Sequence, residues 1–118
     1  MPKIHNVVIP GEDRFAPFAL TIRVGDIVTW TNQDTDDHTI VSDDVVNSTG
    51  PLAINQLLPA GQSVSLRFCH EGLWVYYCRL HATLNAYGQP ISPGPAGGIP
   101  GLPMSGVIAI LPRKNKHY

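Results

Sequence analysis

At 118 residues the chain has the length of one ordinary domain, and residues 1–118 are read as a single unit. An apolar content of 43% excludes a disordered chain, while 14% charged residues and a formal net charge of −1 exclude the clustered Lys and Arg of a nucleic-acid surface. No apolar run approaches the ~18 residues of a membrane span, and 11 Gly with 11 Pro favour short strands and turns over helices.

The first strand signal is Lys3 to Ile9, rich in Val and Ile and ended by Pro10-Gly11. From Phe18 to Val24 the pattern alternates, with Leu20, Ile22 and Val24 on one face. Gly25-Asp26 reads as a turn into Ile27 to Thr31, which predicts a hairpin. Asn32 to Asp37 is a polar loop, and His38 to Val41 a short strand leading out of it. Residues 42–61 read as irregular, with room for a short helical turn near Ile54 to Leu58. Ser63 to Phe68 then alternates strictly, with Val64, Leu66 and Phe68 inward. Glu71-Gly72 is the next turn, Leu73 to Cys78 an aromatic-rich strand, and Gly106 to Leu111 the last strand. Between Gly88 and Gly106, 11 of 19 residues are Gly or Pro, which predicts a long loop without strand or helix. Seven or so short strands in Greek-key order make an all-β sandwich the expected architecture.

Two cysteines, Cys69 and Cys78, stand on either side of the Gly72 turn and have the separation for a disulfide across a hairpin. His81, three residues after Cys78, points to another use: a thiolate and an imidazole that reach one ion from a single tight turn. His38, at the start of a strand after a polar loop, supplies a second imidazole, and Met104, just before the last strand, a thioether. One thiolate, two imidazoles and a weak axial thioether suit copper in electron transfer. A structural zinc site requires four strong ligands, and no second Cys-x-x-Cys or His-x₃-His pair is present. Cys69 is expected as a free thiol at a strand end. His5, His70 and His117, at a turn and near the termini, are expected in solvent. Asp34, Asp36, Asp37, Asp43 and Asp44 read as a solvated acidic face able to steer a basic partner, and Arg113, Lys114 and Lys116 as a solvated tail.

Three stretches resemble the cupredoxins, the blue copper proteins of the plastocyanin, amicyanin and pseudoazurin kind. Val24-Gly25-Asp26-Ile27-Val28-Thr29-Trp30-Thr31-Asn32-Gln33-Asp34, followed by His38, is similar to the strand and loop that carry the family's first His ligand. Gly72-Leu73-Trp74-Val75-Tyr76-Tyr77-Cys78-Arg79-Leu80-His81 is similar to its Gly, aromatic, aromatic, Cys-x-x-His signature. Met104-Ser105-Gly106 resembles the Met-x-Gly that opens its last strand. The resemblance implies a Greek-key sandwich with one type 1 copper ion at one end, held by His38, Cys78, His81 and an axial Met104. It also implies that Thr39 ties the two ligand loops together. One departure stands out: 22 residues, Ala82 to Pro103, separate His81 from Met104, where close family members have only a few.

The function so implied is a one-electron carrier between redox protein partners. Two alternatives remain: an open-site cupredoxin enzyme acting on a small molecule such as a nitrogen oxide, and a copper-handling or resistance protein. Against the last stand the two Met and the lack of a His-rich tract. The loop from Ala82 to Pro103 is expected to be ordered and to border the copper end. No signal peptide opens the chain at Met1-Pro2-Lys3. The family's usual compartment implies a periplasmic or otherwise extracytoplasmic protein, here in a mature form with an added Met1.

Overall fold

The structure, a computed structural model, describes residues 2–45, 53–92 and 103–113. Among them lie ten strands: β1 (Ile4–Ile9), β2 (Ala19–Arg23), β3 (Ile27–Asn32), β4 (His38–Val41), β5 (Asn55–Leu58), β6 (Ser63–Arg67), β7 (Gly72–Tyr77), β8 (Thr83–Leu84), β9 (Pro90–Ile91) and β10 (Ser105–Leu111). One sheet has the order β1-β3-β6 and the other β2-β10-β7-β4-β5, while β8 and β9 make a two-stranded ladder. This is the all-β sandwich expected, with parallel pairs (β1 with β3, β2 with β10) beside antiparallel ones.

Alternation builds the core. Val28, Trp30 and Asn32 of β3 are buried while their neighbours are only partly so, and Gly106, Ile108 and Ile110 of β10 repeat the pattern from the other sheet. Aromatic rings fill the space between. Trp30 meets Tyr76 edge-on with centroids 5.4 Å apart, Phe15 meets Tyr76 at 4.7 Å, and Phe68 meets Trp74 at 5.0 Å. Such edge contacts add to the burial that large rings already supply.

Several expectations are corrected. The chain from β2 to β3 is not a hairpin: β2 pairs with β10, and β3 with β1 and β6, so Gly25-Asp26 carries the chain from one sheet to the other. Gly25 adopts φ +95°, which glycine tolerates without strain. The segment between β6 and β7 likewise changes sheets, so no hairpin joins Cys69 to Cys78, and both are free. The suggested helical turn near Ile54 to Leu58 is instead β5, antiparallel to β4 with His38 opposite Leu58. Within the Gly/Pro-rich segment, Pro90–Ile91 pairs with Thr83–Leu84; a strand of two residues at an edge accommodates proline. Residues 93–102 of that loop, and Lys114, Lys116 and His117, lie outside the described residues.

At the end of the sandwich opposite β4's first residue, Asp26 gathers four donors. Lys3 N (3.0 Å), Arg23 N (3.1 Å), His5 Nε2 (2.9 Å) and Arg113 (2.6 Å) all reach its carboxylate. His5 and Arg113 are thus structural partners rather than solvated groups. Burial alone pushes the Asp26 carboxyl up, but the donors outweigh it and hold it well below the usual carboxylate range. A depressed folded pKa stabilises the fold above the unfolded value of 3.8, and this contribution is lost as pH falls through the folded value. Asp26→Asn is therefore expected to cost about 2 kcal/mol at pH 7 and to weaken the acid dependence of unfolding below pH ~4. Urea unfolding at pH 7 and pH 3 checks this; an unchanged acid slope would contradict it.

Candidate metal centre

Three elements converge at one end of the sandwich. β4 opens with His38 as the chain leaves the 33–37 loop, β7 delivers Cys78 just past its last residue, and the turn after it carries His81. The His81 N–H donates to Cys78 O (3.1 Å), which closes that turn. The imidazole Nδ1 atoms of His38 and His81 lie 3.6 and 3.5 Å from Cys78 Sγ, and the two rings are 4.9 Å apart. Donors bonded at roughly 2.0–2.3 Å to a shared ion in a trigonal arrangement stand about 3.6 Å from one another. The spacing fits a single metal ion. His38 and Cys78 are fully buried, and the His81 side chain retains 18% exposure.

The surroundings prepare the sulfur as a thiolate. Burial raises the Cys78 thiol, but hydrogen bonding with His38, Thr39 N and His81 overcomes it and lowers the pKa to about 6. Burial also opposes charge on His38, yet Cys78 and Asp34 on either side of its ring raise its pKa to about 9. Thr39 N donates to Sγ at 3.3 Å, and Thr39 Oγ1 donates to Sγ at 3.8 Å while accepting from Arg79 N at 2.8 Å. Thr39 therefore ties the segment that carries His38 to the one that carries Cys78, the link the resemblance implied.

Met104 is 1% exposed and packs in the same core cluster as Cys78. Its carbonyl accepts from Cys78 N (2.9 Å), and its N–H reaches His81 O (3.4 Å). The inserted loop therefore leaves Met104 bonded through its backbone to both residues of the Cys-x-x-His turn. Asp13, Arg14, Phe15, Pro90 and Pro103 line an apolar groove of about 620 Å³. Its lining includes Pro90 from β9 and Asp13, which faces His81.

Some residues of the site escaped the sequence reading. Asn32, fully buried, donates from Nδ2 to Asp36 O (2.8 Å) and Leu58 O (3.0 Å), and its Oδ1 accepts from Asp34 N (2.9 Å). It fixes the loop that presents His38. Asp34 is no solvated charge: its carboxylate lies 2.9 Å from His38 Nε2, a bond that holds its pKa below the ordinary value. Asp13 Oδ1 stands 3.6 Å from His81 Nε2. Asp43 and Asp44 pair with Arg79 at 3.5 and 3.4 Å, and Asp37 accepts from Ala60 N, so most of the acidic run is engaged locally. Only the Asn32-x-Asp34 pair, whose short side chains favour tight loops, hinted at this from sequence. Cys69 and His70 are exposed and apart from the cluster, as expected.

The family model of copper-binding proteins of the plastocyanin/azurin family matches residues 3–89, which include His38, Cys78 and His81 but stop short of Met104. A chloroplastic plastocyanin from Tetradesmus obliquus is 33% identical over 82 residues, or 65% of this chain; the match spans 57% of that relative's length. Among solved structures, a purple cupredoxin from Nitrosopumilus maritimus is similar with a TM-score of 0.60 and 26% identity over 90% of this chain and 98% of the other. A reduced amicyanin variant gives 0.63 and 23%, over 91% and 81% of the two chains. A copper-containing nitrite reductase from Thermus scotoductus gives 0.62 and 23%, over 93% of this chain but 22% of its own. The last two likenesses establish the fold alone.

Proposed function

The chain belongs to the plastocyanin/azurin family of copper-binding proteins, and from that premise we propose that it is a mononuclear type 1 copper protein acting as a one-electron carrier. The observation that carries this reading is the buried Cys78 thiol with the Nδ1 atoms of His38 and His81 both at 3.5–3.6 Å from its sulfur. His38, Cys78 and His81 would hold the ion, and Met104 would add a weak thioether donor. Bound copper supplies one-electron exchange between Cu(I) and Cu(II).

The chain's own residues make that exchange inexpensive. Thr39 and Asn32 lock the two ligand loops, and burial keeps water from the sulfur, so the ligands move little when the charge changes. Thr39 N lowers the charge density on the thiolate. His81 alone of the three presents part of its ring to solvent and offers the route to a redox protein partner. We place that work outside the cytoplasm, in the periplasm or an equivalent compartment, and read residues 1–118 as one cupredoxin domain.

The open-site enzyme reading requires an exchangeable position. Met104, buried and bonded to Cys78 and His81 through its backbone, argues for a filled one. Azide or nitrite added to the copper-loaded protein is expected to leave its visible spectrum unchanged; a new ligand band would favour the enzyme. Met104→Leu should keep copper bound and raise the reduction potential, because a donor that favours Cu(II) is replaced by hydrocarbon. A spectrum and potential equal to the parent's would mean that Met104 does not reach the metal.

A further inference from the structure

Both imidazoles of the cluster turn the same way. Their Nδ1 atoms face Cys78 Sγ, and their Nε2 atoms face carboxylates: Asp34 Oδ2 at 2.9 Å from His38, and Asp13 Oδ1 at 3.6 Å from His81. Asp34 is held for this task. Its Oδ1 accepts from Thr35 N at 2.7 Å, and its own N–H donates to Asn32 Oδ1 at 2.9 Å, so the loop fixes the direction of the carboxylate. The His38 side chain is fully buried and that of Asp34 is 10% exposed, which shields the pair from water and salt. Asp13 comes from the segment between β1 and β2, is 28% exposed and lies beyond direct hydrogen-bond range.

We propose that Asp34 is a positioning and tuning residue of the metal centre, with Asp13 in a lesser role. Its carboxylate accepts the Nε2 proton of His38, which leaves the Nδ1 lone pair to the metal, and its negative charge makes that imidazole a stronger donor. A carboxylate behind a ligating histidine fixes tautomer and orientation and raises ligand basicity. Stronger, more anionic donation stabilises Cu(II) more than Cu(I), so the pair lowers the reduction potential. A backbone carbonyl in the same place would orient the ring without adding charge. This inference rests on the copper assignment made above.

Asp34→Asn and Asp34→Ala separate orientation from charge, since Asn can still accept the Nε2 proton and Ala cannot. Voltammetry of the copper-loaded Asp34→Asn protein should show an upward shift. The Cu(II) affinity relative to Cu(I) is expected to fall about tenfold, equivalent to ~59 mV for a one-electron couple. Asp13→Asn, at a surface site that leaves the fold intact, should shift the potential in the same direction by less, and more at low salt than at high salt. In the metal-free protein, NMR should find the His38 Nε2 proton protected from exchange in the parent and in Asp34→Asn, and unprotected in Asp34→Ala. That readout does not depend on copper, so its loss is distinguishable from a failure of the ligand assignment. Copper-loaded Asp34→Asn and Asp13→Asn proteins with the parent potential would overturn the proposal, as would equal exchange of the proton in all forms. If Asp34→Asn does not fold, the Asp13→Asn shift decides by the same criterion.

Discussion

Replacing Cys78 by Ser is expected to abolish the intense thiolate-to-copper absorption and to weaken copper binding at this site. The sulfur is the point on which the cluster is built: both imidazoles and Thr39 N direct polar atoms at it. Its pKa near 6 means that a thiolate is available at neutral pH. A serine hydroxyl keeps the size but stays protonated there, and oxygen provides no low-energy charge transfer to copper. Cys69 cannot substitute, being exposed and outside the cluster. Absorption spectra of parent and variant loaded with equal copper check this. A surviving band would show that the ligand assignment is wrong.

Gly106→Ala is expected to be the most damaging single methyl in β10. Gly106 stands opposite Tyr76 in the β10–β7 register, and a Cβ at residue 106 would lie 2.5 Å from the Tyr76 ring and hydroxyl. The ring is buried and held edge-on by Phe15 and Trp30, so it has nowhere to turn. Overpacking of this kind costs typically 1–3 kcal/mol, and the tight surroundings put this site near ~3 kcal/mol. For a chain of this size the melting temperature should fall by about 10 °C. The damage should also reach the metal site, because Met104 is two residues away on the same segment. A loss below ~0.5 kcal/mol in urea unfolding would contradict the packing described.

The strands and their buried faces were legible because alternation reports burial directly. Ile22 shares a face with Leu20 and Val24 and is buried, and Phe68 is buried on the inward face that alternation marks. Which strand pairs with which was not legible around Gly25 and Gly72. Two alternating segments joined by a short turn look the same whether they pair side by side or pack face to face across a core. Residues 54–58 have spacing compatible with a helical turn, and only the pairing of Asn55–Leu58 with β4 makes them a strand. The Cys78-x-x-His81 pair and His38 could be read because local spacing or a loop-strand boundary positions them. Asp34 and Asp13 could not: their meaning depends on which way two imidazole rings turn, and that is decided by the packing around Cys78. Nothing local in the sequence separates Arg113 from a solvated tail, because its partner Asp26 is 87 residues away.

Titration of the metal-free protein with Cu(II), followed by absorption and EPR on the same samples, tests the copper site most directly. One copper per chain is expected, with an intense thiolate-to-copper band that rises to one equivalent and then stops, and a single EPR species. Reduction should bleach both signals, and reoxidation restore them. Copper that binds without the thiolate band, or with the spectrum of a tetragonal nitrogen and oxygen site, would contradict the ligand assignment.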